Sequence, residues 1–113
     1  MLPEEIIAHI QSPSIKNLIV DCDAGADGDD QFALAYALRA PDRVRVLAVN
    51  SAPFNDNAAE MVAAGKLECE EIIAAAGLAG QVPAFTGSSD FITRAGGPVH
   101  SPAAENIRRA VLT

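Results

Sequence analysis

Positive charge is scarce in this sequence. Only 8 Lys and Arg residues balance 15 Asp and Glu residues, so the formal net charge is -7 and the pI is about 4.6. A chain with this balance repels the phosphate backbone of a nucleic acid, and we therefore expect no nucleic-acid partner. A third of the acidic residues fall within ten consecutive positions, so the partner that the sequence favours is a cation.

Long apolar runs and cysteine pairs with a spacing motif are also lacking. No apolar run approaches the roughly 18 residues of a membrane span, and the start of the chain lacks the basic and apolar regions of a secretory signal. We therefore expect no membrane partner. The two cysteines, Cys22 and Cys69, favour a reduced cytoplasmic protein over a disulfide scaffold. The composition, 50% hydrophobic over 113 residues, predicts one domain, residues 1–113, with a modest core.

Helical and strand patterns alternate along the chain, which predicts an α/β fold with a parallel sheet. Short apolar runs predict three buried strands, at 17–20, 44–49 and 82–85. Helical spacing predicts four helices, at 3–11, 29–39, 57–76 and 102–112. We expect the first helix to pack on the edge of the sheet and the second, which is apolar nearly all round, to be buried. Residues 91–101 are predicted to be irregular.

The main candidate site is the acidic stretch from Asp21 to Asp30, which directly follows the first strand. Alternation along a strand places Asp21 and Asp23 on one side, and Asp29 and Asp30 begin the next helix, so we expect these four carboxylates to converge. Ligands of open α/β sheets bind at this carboxyl edge. Carboxylates held this close require a cation or protons, and a hard divalent ion such as Ca²⁺ fits an all-oxygen donor set.

Two common motifs do not fit this stretch, whereas two other interpretations stay open. A calcium loop of the EF-hand type needs Gly at its sixth position and Glu at its twelfth, where this chain has Ala26 and Phe32. A dinucleotide fingerprint needs three glycines, and only Gly25 and Gly28 are present. The open alternatives are a D-x-D site for Mg²⁺-dependent phosphotransfer, using Asp21 and Asp23, and a solvated acidic turn without a ligand.

The stretch Leu18-Ile19-Val20-Asp21-Cys22-Asp23, with the residues that follow it, resembles the amino-terminal signature of the inosine/uridine-preferring nucleoside hydrolases. The longer form of that signature, D-x-D-x-G-x-D-x-D-D, matches without a gap at Asp21, Asp23, Gly25, Asp27, Asp29 and Asp30. Residues 47–55 resemble the second strand and its T-T-V-x-G-N loop, although Phe54 stands where Gly is usual. Residues 82–87 resemble the V-P-V-x-x-G segment, and 101–107 resemble a later A-A-x-x-I helix. The resemblance therefore covers nearly the whole chain.

This resemblance implies a fold and an activity. The fold would be a Rossmann-like parallel sheet, the β-α-β-α-β core of the nucleoside hydrolase fold in truncated form. The activity would be Ca²⁺-dependent hydrolysis of the N-glycosidic bond of ribonucleosides to free base and ribose, as in purine and pyrimidine salvage. The implied small-molecule partner is a ribonucleoside or another ribosyl compound.

The resemblance also implies roles for individual residues. Asp23 and Asp30 match Ca²⁺ ligands, and Asp23 also matches the general base that takes a proton from the attacking water. Asp29 and Asn55 match residues that hold the nucleoside. Two further acids match residues that support the ligands from outside: Asp21 and Asp27.

This sequence departs from the family in two respects. Ala24 replaces the usual Pro or Ile, which bears on the rigidity of the loop. Family members are considerably longer, and their carboxyl-terminal half supplies another Asp ligand, a Thr carbonyl ligand and often a His near the leaving base. We therefore expect an incomplete site, with a non-catalytic relative that binds a cation or ribose as the alternative function. We also expect a homo-oligomer that covers the open sheet edge and an apolar face.

Overall fold

The computed structural model describes residues 1–113 as an α/β fold. Its elements in chain order are α1 (Pro3–Gln11), β1 (Lys16–Cys22), α2 (Asp29–Leu38), β2 (Val44–Ser51), α3 (Ala58–Ala75), β3 (Ala84–Thr86), α4 (Ile92–Ala95) and α5 (Pro102–Leu112). The predicted strands and helices are confirmed, with ends that differ by at most two residues. The segment predicted to be irregular contains the short helix α4, which ends at Gly96 in the left-handed region.

The three strands form one parallel sheet, as the sequence predicted, and their order in the sheet is β1-β2-β3. At the carboxyl ends of the strands, Asp21 pairs with Asn50, which in turn pairs with Phe85, and Cys22 pairs with Ser51. Paired side chains share a face of the sheet and successive side chains alternate. Cys22 and Ser51 therefore face one side, whereas Asp21, Asn50 and Phe85 face the other.

The hydrophobic core lies between the sheet and helices α2 and α3. Its seven buried residues come from β1, the loop after it, α2, β2 and α3: Cys22, Ala24, Leu34, Leu38, Val49, Cys69 and Ile73. Both helices contribute residues four positions apart, because side chains at this spacing lie on the same face of a helix. The core thus holds the end of β1, and the acidic loop that follows it, against α3.

Two helices are more exposed than the sequence predicted. In α2 only Leu34 and Leu38 are buried, while Phe32 and Tyr36 are 79% and 81% exposed, so the prediction of a fully buried helix is wrong. The helix packs on α3 and β2 with one face, and the side chains at 32 and 36 point away from that face.

The prediction that α1 packs on the edge of the sheet is also wrong, since the helix has no buried residue. Its apolar side chains Ile6, Ile7 and Ile10 are all exposed. The spacing of the isoleucines in α1 predicts an apolar side of the helix, but it does not predict whether another element packs against that side. None of the helices combines the length and the apolar character needed to cross a lipid bilayer. The homo-oligomer stays a prediction.

Candidate functional site

The acidic loop begins with a tight turn directly after β1. The Ala26 amide donates to the Asp23 carbonyl at 3.1 Å, and Gly25 adopts a φ of 101°. Residues with a Cβ are disfavoured at this φ, whereas glycine adopts it at little cost. Gly25 therefore allows the chain to fold back, and the carboxylates at the start of α2 come close to the end of β1.

Gln31, in the first turn of α2, holds this loop. With its amide in the orientation that satisfies both groups, the side-chain nitrogen donates to the Asp27 carbonyl at 2.6 Å and the oxygen accepts from the Gly25 amide at 3.2 Å. Sequence reasoning missed this residue, because a glutamine beside four carboxylates carries no pattern of its own. The Gln31 side chain thus ties two points of the loop to α2.

Asp23 and Asp30 form the centre of the site. One Asp30 oxygen, Oδ2, accepts a hydrogen bond from the Asp23 backbone amide at 2.7 Å. The Asp30 carboxyl also lies within hydrogen-bonding reach of the Asp23 carboxyl and raises the pKa of Asp23, with partial burial and the nearby Asp29 charge as further causes. Asp30 thus approaches Asp23 as predicted, and the role of the two residues as calcium ligands stays a prediction. Two carboxyl groups in contact favour a shared proton or a bound cation over two free charges.

The wider convergence of four carboxylates that the sequence predicted is not found. Asp21, Asp27 and Asp29 are exposed, and no group of three or more His, Cys, Asp or Glu side chains could hold a metal ion. Neighbouring residues of a helix point about 100° apart, so only one of Asp29 and Asp30 faces the strand. β1 ends at Cys22, so the alternation that was expected to place Asp21 and Asp23 on one side does not extend to Asp23. Although Asp21 is exposed, nearby protein atoms displace part of the water around its carboxylate, and this desolvation raises its pKa.

Asn55, the predicted nucleoside contact after β2, lies exposed in the loop before α3. Its side-chain carbonyl accepts a hydrogen bond from the Asn57 amide at 2.9 Å. This contact closes a local turn of the kind that asparagine favours before a helix. Its contact with a nucleoside stays a prediction.

Asn50 is a candidate that the motif did not assign. It occupies the carboxyl end of the central strand and is fully buried, yet neither atom of its side-chain amide has a hydrogen-bond partner. The hydroxyl of the next residue, Ser51, is also buried without a partner. Unsatisfied buried groups cost about 1–3 kcal/mol each and call for an explanation. A polar pair that ends a buried apolar strand was the available signal in the sequence.

The acidic pair makes stability depend on pH in a defined direction. Because the pKa of Asp23 in the folded protein is raised above the ordinary value of 3.8, its contribution to stability is complete below that value. The contribution is lost as the pH rises through the raised pKa. We expect Asp23→Asn, which cannot ionise, to melt at a higher temperature than the wild type at pH 7 and at the same temperature near pH 3.

Circular dichroism melts in a chelating buffer measure this difference. Asp27→Asn is the matched control, because Asp27 is an exposed carboxylate of the same loop outside the pair, and its melting temperature should follow the wild type at both pH values. An Asp23→Asn protein less stable than the wild type at pH 7 would show that the pair does not repel.

An apolar pocket of about 330 Å³ lies at the opposite end of the sheet. It is lined by residues from the end of α2, from the amino-terminal half of β2 and from the loops that precede β2 and β3, among them Pro41, Val44 and Leu78. None of the site carboxylates reaches it.

Comparisons of the chain with protein-family models, with curated proteins and with solved structures found no match. The resemblance to the nucleoside hydrolases therefore rests on the motif and its spacing.

Proposed function

We propose that this chain is a nucleoside hydrolase-like protein that binds Ca²⁺ and a ribosyl compound at the carboxyl edge of its sheet. The observation that carries the proposal is the contact between Asp23 and Asp30 at the end of β1. These are the two residues that the motif assigns as calcium ligands. The chemistry proposed for the site is hydrolysis of an N-glycosidic bond to free base and ribose, and the fold proposed is the core of the nucleoside hydrolase fold.

The donor atoms support a hard cation at the pair. Two ionised carboxylates in contact repel each other, and the raised pKa of Asp23 is a sign of this repulsion. A bound divalent cation would offset the two negative charges. The fit is partial, because Ca²⁺ takes about 6–8 oxygen ligands and the pair supplies two side chains. The remaining ligands would come from water, main-chain oxygens and the two ribose hydroxyls.

Each residue of the loop has a distinct task in this proposal. A bound Ca²⁺ supplies the positive charge that orients a diol and makes water more acidic. Asp23 accepts a proton from the attacking water, which is the role that the motif gives to this carboxylate. The Asp30 carboxylate accepts a hydrogen bond from the Asp23 amide and so positions Asp23, the general base. The negative charges of Asp21 and Asp29 stabilise the positive charge that develops on the sugar as the base departs.

Calcium is expected to stabilise the wild-type protein through this pair. A weak site with a dissociation constant of about 1 mM, in about 10 mM Ca²⁺, gains about 1.4 kcal/mol, or about 6 °C in melting temperature. Differential scanning fluorimetry with and without CaCl₂ measures the shift. Asp23→Asn and Asp30→Asn should lose it, whereas Asp42→Asn, an exposed carboxylate between α2 and β2, should keep it. Equal shifts in all four proteins would mean that calcium binds elsewhere.

A second candidate is a non-catalytic protein that binds a cation or ribose. It is favoured by the small size of the contact, since only two carboxylates meet and no larger group of metal-binding side chains is present. A phosphotransfer site of the D-x-D kind is not favoured, because Asp23 pairs with Asp30 instead of with Asp21. Calcium-dependent ribose binding without turnover would identify the non-catalytic protein.

A further inference from the structure

The two cysteines meet in the core although they are 47 positions apart in the sequence. The sulfur atoms of Cys22, the last residue of β1, and Cys69, in the middle of α3, lie 3.7 Å apart. Both are free thiols, and both belong to the buried cluster between the sheet and the helices. The packing of α3 on the end of β1 brings them together, so sequence spacing could not indicate the contact.

We propose that Cys22 and Cys69 form a reversible disulfide, making this thiol pair a peroxide-sensitive modification site. A disulfide has an S–S distance of about 2.05 Å, so the two sulfurs must approach each other by roughly 1.7 Å from their present 3.7 Å. Small side-chain rotations and a slight approach of α3 can supply this movement. The proposal rests on the thiol pair alone and is independent of the function proposed for the carboxylates.

The oxidant in this proposal is hydrogen peroxide, which is small enough to reach a nearly buried thiol. Cys22 is 7% exposed and Cys69 is fully buried, so Cys22 reacts first. Its sulfur attacks one peroxide oxygen, the O–O bond breaks, and one water leaves with formation of a sulfenic acid. The Cys69 sulfur then attacks the Cys22 sulfur, the S–O bond breaks, and the departing hydroxide takes the Cys69 proton as a second water.

The net change is that two thiols and one peroxide give one disulfide and two waters. The pair loses two electrons, and the peroxide gains them. A dithiol reductant reverses the change by thiol–disulfide exchange, which returns both cysteines to the free form.

The position of the pair gives the disulfide a structural consequence. Cys22 directly precedes Asp23, and its carbonyl accepts a hydrogen bond from the Ala52 amide at 2.8 Å. The bond would tie the last residue of β1 to the middle of α3 and close a loop of the unfolded chain. Closing a loop of this size restricts the unfolded chain, and we expect the melting temperature to rise by about 10 °C.

The experiment treats the full chain with hydrogen peroxide, removes the excess and measures free thiols, intact mass and melting temperature. We expect the free thiols to fall from two to none, the mass to fall by about 2 Da and the melting temperature to rise, all reversed by dithiothreitol. Tryptic digestion without reduction should join peptides 17–39 and 67–94, which carry the two cysteines.

The Cys69→Ala variant tests the link between the bond and the stability. It removes the second thiol, so peroxide should leave its melting temperature unchanged or lower and should produce no joined peptides. The wild-type mass and peptide measurements do not depend on the folding of the variant. Two free thiols after treatment, a mass gain from sulfinic acid, or disulfides only between chains would each overturn the proposal.

Discussion

Replacing Gly65 by alanine is expected to destabilise the protein, although alanine normally stabilises the interior of a helix. An alanine Cβ at this position of α3 would lie 2.3 Å from the Ser51 hydroxyl oxygen and 3.1 Å from the Ala24 carbonyl. Both neighbours are 1% exposed, so neither can move into solvent. The hydroxyl can rotate, but the carbonyl belongs to the backbone after β1, so α3 must move away from the sheet.

The size of the effect follows from two opposing contributions. Overpacking a core costs about 1–3 kcal/mol, whereas replacing a helical glycine with alanine gains about 1 kcal/mol. We expect a net loss of up to about 2 kcal/mol in the free energy of unfolding, measured by urea titration. Because Ala24 lies in the acidic loop, the movement should also weaken any calcium-induced shift.

The matched control is Gly28→Ala, a second glycine-to-alanine change at the start of α2. The nearest atom to an alanine Cβ there is a ring carbon of Phe32 at 3.9 Å, which is ordinary contact. It should change stability by only a few tenths of a kcal/mol, as expected at an N-cap. The double variant Gly65→Ala with Ser51→Ala removes the closest clash and should recover part of the loss. A Gly65→Ala protein as stable as the wild type would show that α3 has room to move.

The sequence predicted the order of helices and strands because those features are local. Runs such as Leu18-Ile19-Val20 and helical spacing such as that of Cys69 and Ile73 report which element forms and which side is apolar. They do not report what covers that side. For this reason the apolar composition of α2 predicted burial correctly for Leu34 and wrongly for Phe32.

The same distinction between local and long-range features applies to the candidate site. The approach of Asp30 to Asp23 was predictable, because Asp23 directly follows β1, Asp30 lies in the first turn of α2, and only one short loop joins the two elements. The contact between Cys22 and Cys69 and the close approach of Gly65 to Ser51 depend on how α3 packs on the ends of β1 and β2. Contacts of that kind join residues far apart in sequence, and no local pattern encodes them.

Nucleoside hydrolysis by this chain is expected to be slow, well below the roughly 1 s⁻¹ at the lower end of typical enzymes. Two carboxylates hold an ion loosely, and a misplacement of the reacting groups by about 1 Å can cost on the order of a hundredfold in rate. Help for the leaving base is also missing. His9 lies in α1 and His100 is exposed in the segment before α5, so neither is assigned to protonate a base.

The assay uses inosine, uridine and a nitrophenyl riboside with excess Ca²⁺, and it compares the wild type with Asp23→Ala and with Asp42→Ala. One result would contradict us: the wild type would release base at about 1 s⁻¹ or faster, and only Asp23→Ala would lose this activity. That result would show that the chain builds a complete site and that our expectation of slow turnover is wrong. Slow release that still depends on Ca²⁺ and Asp23 would support a site in which Asp23 is correctly placed but leaving-group help is absent. Ca²⁺-dependent ribose binding without release of base from any substrate would mean that Asp23 and Asp30 serve binding alone. Carboxylates that hold an ion and a diol need further groups to break the glycosidic bond.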